Sequence, residues 1–235
     1  MNNLIDLHTH SVLSTHAYSS LSENIAYANK ANLKYYGISE HQYDTKGVGG
    51  HHFSVHNLRI VPSIINGTRF LKGLELNILL NGELDTSKIK KEYLDYGIAS
   101  IHSYIYEDQG VDKNTEAYLN VLDSEFITIL GHIDDGHYPS DYEKIVKKCK
   151  DVHKLIEINN SSLRPTCSRL NSRDNMIKLI QVCKKYNQHL IINSDAHICY
   201  DVGTYELGLN LLKEFDYPLD LVLNFNEELI KKYFG

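Results

Sequence analysis

Residues 4–10 read Leu4-Ile5-Asp6-Leu7-His8-Thr9-His10, an apolar stretch that runs into two histidines. The apolar part, Leu4–Leu7, reads as a short β-strand. Residues two apart on a strand point to one side, so His8 and His10 can reach a common cavity. The pattern recurs along the chain. Tyr35–Ser39 runs into Glu40-His41, and a strand within Phe70–Leu80 carries Glu75. Tyr96–Ile101 runs into His102, Phe126–Leu130 into Gly131-His132, and Leu190–Asn193 into Ser194-Asp195-Ala196-His197. Leu155–Ile158 is a further strand. Helical patterns lie between most of them: Ser22–Lys30 with Ser22 as N-cap, Thr115–Leu122, Tyr142–Lys150 and Asp174–Tyr186. A polar loop rich in Gly and His follows Glu40 as far as His56, and Asn81-Gly82 carries a hairpin signal. Strands alternating with helices imply a parallel sheet covered by helices. Seven such units predict one α/β domain over residues 1–235, built as a closed or nearly closed (β/α) barrel. An open doubly wound sheet is the alternative that periodicity leaves standing.

Composition narrows the function. Hydrophobic residues are 42% and charged residues 23%, which excludes a disordered or fibrous chain. The net charge of -6 gives no counterion-release gain from nucleic acid, so no extended nucleic-acid partner is expected. No segment approaches the roughly 18 apolar residues that would span a bilayer, and no membrane partner is expected. The four cysteines, Cys149, Cys167, Cys183 and Cys199, form no Cys-x-x-Cys pair. Four free thiols suit a reducing cytoplasm, where we place the chain. Oligomeric state is open.

The chemistry lies at the strand ends. In parallel α/β folds the carboxyl ends of the strands build the active site. Here those ends deliver His8, His10, His41, His102, His132, Asp195 and His197, with Glu75 on a strand itself. Imidazole and carboxylate together suit zinc, manganese or iron. One such histidine alone is ordinarily a hydrogen-bonded structural residue; the set as a whole is not explained in that way. Glu75 stands in an apolar strand, where a carboxylate without a partner is costly. Seven histidines and two carboxylates are too many ligands for one ion. His51, His52 and His56 read as a polar surface loop or a lid, and His137, His153 and His189 as structural or exposed.

The segments Asp6-Leu7-His8-Thr9-His10, His16, Ser39-Glu40-His41, Gly73-Leu74-Glu75, Ile101-His102, Gly131-His132 and Ser194-Asp195-Ala196-His197 resemble, in order, the motifs of the PHP (polymerase and histidinol phosphatase) superfamily. Ser14–Ser19, His51-His52-Phe53, Asn57–Ile60 and Glu157–Ser162 resemble its YcdX-like phosphatase branch. The resemblance implies a distorted (β/α)7 barrel and three divalent ions, zinc first, with manganese or iron as alternatives. It implies one ion on His8, His10, Glu75 and Asp195, a second on Glu75, His102 and His132, and a third on His16, His41 and His197. Glu40 departs from the family's usual aspartate and is expected to hold a neighbouring ligand in place.

The expected activity is hydrolysis of a small phosphomonoester by a metal-activated hydroxide, since coordination brings the pKa of water to about 7. Glu75 and Asp195 are the catalytic candidates. Arg169 is the candidate for binding the phosphorylated substrate, because a guanidinium fork suits phosphate oxygens; Arg164 competes with it. Alternatives are a histidinol-phosphate phosphatase, a phosphodiesterase or exonuclease of the same superfamily, and a non-catalytic metal-binding module. Specificity is expected from the loops Thr45–His56, Tyr104–Asn114 and Ile133–Ser140.

Overall fold

A computed structural model describes residues 2–43, 45 and 47–235. Seven parallel strands follow one another round the molecule: β1 (Ile5–Asp6), β2 (Tyr35–His41), β4 (Thr68–Asn77), β5 (Ile98–Ser100), β6 (Ile129–Leu130), β7 (Leu155–Asn159) and β8 (Leu190–Asn193). A two-residue strand, β3 (Ile64–Ile65), pairs antiparallel with β4. The helices are α1 (Leu21–Lys30), α2 (His52–Asn57), α3 (Val111–Val121), α4 (Tyr142–Asp151), α5 (Ser172–Tyr186), α6 (Glu206–Glu214) and α7 (Glu227–Phe234). Both faces of β1, β2, β7 and β8 are buried, as strands sandwiched between a barrel interior and outer helices must be.

The sheet is nearly closed, with one seam, between β1 and β8. A parallel bridge, Thr9 with Ala196, joins its upper end. Below that, side chains replace the ladder. The Leu7 amide donates to Asn193 Oδ1 at 2.9 Å. Asn224 Nδ2 donates to the carbonyls of Ile5 and Ile192, and its Oδ1 accepts from the Ile192 amide. The fold is therefore the single-domain distorted (β/α)7 barrel, and the open doubly wound alternative falls.

The barrel floor is apolar. Ile5, Tyr35, Leu71, Ile98, Ile129, Leu155 and Ile191, one from each barrel strand, cluster with Leu229, Ile230 and Phe234 of α7. The Tyr96 ring lies among them and its hydroxyl donates to the Leu7 carbonyl at 2.6 Å. A Cβ at Gly37 or Gly73 would run into that ring, so the two strands passing it carry glycine. With the floor filled, the polar site can form only at the opposite, carboxyl end of the strands.

Several local expectations are corrected. The cap of α1 is Ser20, not Ser22: Ser20 accepts from the Glu23 amide and Glu23 returns the bond to the Ser20 amide, a reciprocal capping box. Asn81-Gly82 forms a turn but joins no hairpin, because β4 and β5 are parallel. The hairpin is instead Asn66-Gly67, between β3 and β4. The stretch read as loop to His56 contains α2, capped by His51. Helices α6 and α7 have no counterpart among the helices expected from the sequence. Among the described residues no helix is long and apolar enough to cross a membrane.

Candidate metal centre

All nine anticipated ligands meet at the carboxyl end of the barrel, around Glu75. Glu75 Oε1 lies 3.2 Å from His8 Nε2, 3.2 Å from His102 Nε2 and 3.1 Å from His132 Nε2. Its Oε2 lies 2.9 Å from His41 Nδ1 and 3.6 Å from His10 Nε2. Asp195 Oδ1 lies 3.5 Å from both His8 Nε2 and His10 Nε2. His16 and His197 complete the group, with their Nε2 atoms 2.9 Å apart. The backbone is strained where two ligands leave their strands: His132 has φ +28° and Asp195 φ +52°.

The surroundings of the histidines decide what this cluster can hold. His8 Nδ1 lies 2.7 Å from Glu157 Oε1. A carboxylate only accepts, so Nδ1 carries a proton and Nε2 is the nitrogen turned to Glu75. His102 Nδ1 donates to Asn77 Oδ1 at 2.8 Å, and His197 Nδ1 to the Asp195 carbonyl at 3.1 Å. His10 Nδ1 donates to Ser14 Oγ at 3.3 Å, whose own hydroxyl donates to Glu40. Glu40 thus reaches His10 through Ser14, and it also binds the amide and hydroxyl of Ser11. Four imidazoles therefore turn their Nε2 inward. His8 Nε2, His10 Nε2, His41 Nε2 and Glu75 Oε2 are buried without a hydrogen-bond partner. Lone pairs facing carboxylate oxygens in a dry site repel one another, and a divalent cation is the group that satisfies them together. His8–His10–Glu75, His41–Glu75–His102 and His10–His41–His197 are each close enough to share an ion.

Electrostatics agrees with that chemistry. Burial, with the neighbouring imidazoles, holds His10 well below the usual histidine range and His16 down at about 4. Burial likewise holds His102 at about 4, against the pull of Glu75. These rings stay neutral, in the form that binds metal. Burial would raise Glu75 and Asp195, but His8 and the other facing histidines, with Arg169 for Asp195, hold both well below the carboxylate range. His8 is the exception: burial lowers it, and Glu157, Glu75 and Asp195 together raise it well above the ordinary value.

Glu157 is the residue that sequence reasoning missed. It is fully buried on β7, and the argument applied to Glu75, a carboxylate in an apolar strand, would have found it. Arg169 lies beside Asp195 at the edge of the cluster. It donates to Asp195 Oδ2 at 2.9 Å and to Ser162 Oγ at 3.0 Å. It also lines a cavity of about 380 Å³ together with His102, Tyr104, His132, His137 and Tyr138. Arg164 pairs instead with Asp201 at 2.6 Å and does not line that cavity. Of the three loops expected to set specificity, those after β5 and β6 reach the cavity; His51, His52 and His56 do not line it.

No family model matches the chain. Whole-length relatives do. A probable phosphatase of Clostridium botulinum is 37% identical over 234 residues, covering 99% of this chain and 95% of the relative. A probable phosphatase of Clostridium acetobutylicum is 40% identical over 234 residues, with the same coverage. The chain belongs to this family of probable phosphatases. The phosphatase shares its fold with the histidinol phosphate phosphatase of Lactococcus lactis, which was solved with zinc, L-histidinol and phosphate. The TM-score is 0.66 over 93% of this chain and 95% of that one, at 17% identity. The shared fold is the distorted (β/α)7 barrel that the sequence motifs implied.

Proposed function

We propose that the phosphatase is a metal-dependent phosphomonoesterase of the YcdX-like branch, acting in the cytoplasm on a small phosphorylated substrate. The observation that carries this reading is the ring of inward-facing histidine Nε2 atoms round Glu75, next to a cavity holding Arg169. His8, His10, Glu75 and Asp195 would hold one ion, Glu75, His102 and His132 a second, and His16, His41 and His197 a third. Divalent ions there, zinc first and manganese or iron otherwise, supply positive charge for phosphate oxygens and make water a usable nucleophile near neutral pH.

The chain's own groups do the rest. Arg169 is fixed by Asp195 and Ser162 before substrate arrives, so its remaining N–H groups meet a phosphate without first being ordered. Asp195 lies beside His8 and His10 and accepts from Arg169, which suits it to orient the attacking water and tie nucleophile to phosphate. The cavity's size favours a small ester over a nucleic-acid strand.

Elemental analysis of the purified chain, followed by Glu75→Gln, tests the reading. We expect about three divalent ions per chain and hydrolysis of phosphomonoesters. Glu75→Gln should lose most of the metal and at least about 10³-fold in kcat/KM, because the bridging group is gone. A wild-type chain that stays metal-free after addition of zinc, manganese or iron would end the proposal. Arg169→Ala should raise KM for a phosphomonoester about tenfold or more. An unchanged KM would remove Arg169 from the site.

A further inference from the structure

Hydrolysis of an ester of an ordinary alcohol expels an alkoxide, which needs a proton as its bond to phosphorus breaks. The cavity beside the histidine cluster is lined by His102 and His132, whose Nε2 atoms face Glu75, and also by Asp135, His137 and Tyr138 from the loop after β6. In that loop Asp135 Oδ1 accepts from His137 Nδ1 at 2.8 Å and from the His137 amide at 3.0 Å. The same oxygen accepts from the Leu170 amide at 3.2 Å, which ties the loop to the segment carrying Arg169. A carboxylate cannot donate, so Nδ1 holds a proton against Asp135 and Nε2 is the ring nitrogen left for the cavity. The ring is 53% exposed and reachable, whereas the Asp135 side chain is only 15% exposed.

We propose that His137, oriented by Asp135, is the general acid that protonates the leaving group, an inference that rests on the phosphomonoesterase reading. Other proton carriers on the cavity walls are unsuited. Burial pushes the hydroxyls of Tyr104 and Tyr138 upward, away from proton donation near neutrality. The guanidinium of Arg169 does not give up its proton. His102 has Nδ1 bound to Asn77 and Nε2 turned to Glu75, and His132 Nε2 also faces Glu75. In the proposed step the oxygen of water forms a new bond to phosphorus while the bond from phosphorus to the alcohol oxygen breaks. The Nε2 proton of the His137 imidazolium passes to that oxygen, and the alcohol departs neutral. The ring is left neutral with Nδ1–H still on Asp135, and the proton released by the attacking water restores the imidazolium. Asp135 is a positioning residue: it fixes the ring's orientation.

Leaving-group dependence tests this directly. The metal-loaded chain is assayed with 4-nitrophenyl phosphate, whose phenolate leaves unaided, and with phenyl phosphate, whose leaving group is more basic. In His137→Gln the loss of kcat/KM should be at least about tenfold greater for phenyl than for 4-nitrophenyl phosphate, within the usual range for a general acid. Asp135→Asn should shift the ratio in the same direction by less, with wild-type metal content. An equal loss on both esters, or no loss on either, overturns the assignment, because a binding or structural role does not sense leaving-group basicity. A wild-type chain that carries its metals and hydrolyses neither ester overturns the phosphatase reading itself, and the general acid falls with it.

Discussion

Glu157 accepts four hydrogen bonds in a fully buried site. Its Oε1 takes them from His8 Nδ1 at 2.7 Å and Asn193 Nδ2 at 2.9 Å; its Oε2 takes them from the His132 amide at 2.8 Å and Asn159 Nδ2 at 3.0 Å. Every partner is a donor, so both oxygens are needed. Glu157→Gln offers one oxygen and turns an NH2 group against donors. His8 must then reverse its tautomer or His132 must move. Either change would disturb a proposed metal ligand. We expect metal affinity to fall about 10–100-fold, the usual effect of losing a group that orients a ligand. Competition against a chelator of known affinity measures it, and wild-type affinity would show that His8 needs no such partner. At this scale the site was largely legible. Histidines at strand ends announce themselves by position, and Glu75 by its cost. His137 was not legible, since it lies on a loop with no periodicity and acquires meaning only from the Asp135 oxygen and the cavity it lines.

Between residue and fold stand the two Asn-Gly pairs, which carry one local signal and have different outcomes. Asn66 and Gly67, with φ of +52° and +89°, form the two-residue turn of the β3–β4 hairpin. Gly82 also has positive φ, +73°, but β4 runs parallel to β5, so its turn only redirects the chain. The dipeptide specifies a turn; whether strands pair across it depends on distant partners, and β3, two residues long, left no readable pattern. The glycines should answer substitution differently. A Cβ at Gly67 meets nothing within 4 Å, so Gly67→Ala should cost only the left-handed strain, about 1–2 kcal/mol. A Cβ at Gly82 would lie 2.8 Å from Ala117 Cα in α3, adding a clash with backbone. Gly82→Ala should therefore lose clearly more stability in urea unfolding than Gly67→Ala. Equal losses would mean that α3 shifts freely. The strands and most helices were readable because their periodicity is local. The short outer pieces α6 and α7 owe their place to the barrel they cover.

For the whole molecule the seam is the decisive feature, because it joins the first strand to the last and passes beneath the metal centre. His8 and His10 hang from one side of it, Asp195 and His197 from the other. Two buried side chains and one carboxylate bind the sides together. Asn193 receives the Leu7 amide, and Asp6, pushed by burial up to about 6, accepts from the amides of Ser194 and Gly203. Asn224 bonds to Ile5 on one strand and Ile192 on the other. Asn224→Ala leaves the Ile192 amide and two carbonyls buried without partners. At about 1–3 kcal/mol for each of these three groups, the loss should be on the order of 3–9 kcal/mol, a large share of the roughly 5–15 kcal/mol that typically holds a domain. No sequence pattern marks this role, since Asn224 lies outside every strand and acts only once the barrel has closed. Because the seam also sets the spacing of ligands on its two sides, Asn224→Ala should weaken metal binding together with stability in urea unfolding. Glu157→Gln should weaken metal binding far more than it weakens the fold. If Asn224→Ala unfolds more easily yet binds metal as the wild type does, the upper bridge between Thr9 and Ala196 suffices to hold the ligands, and the seam below it serves stability alone.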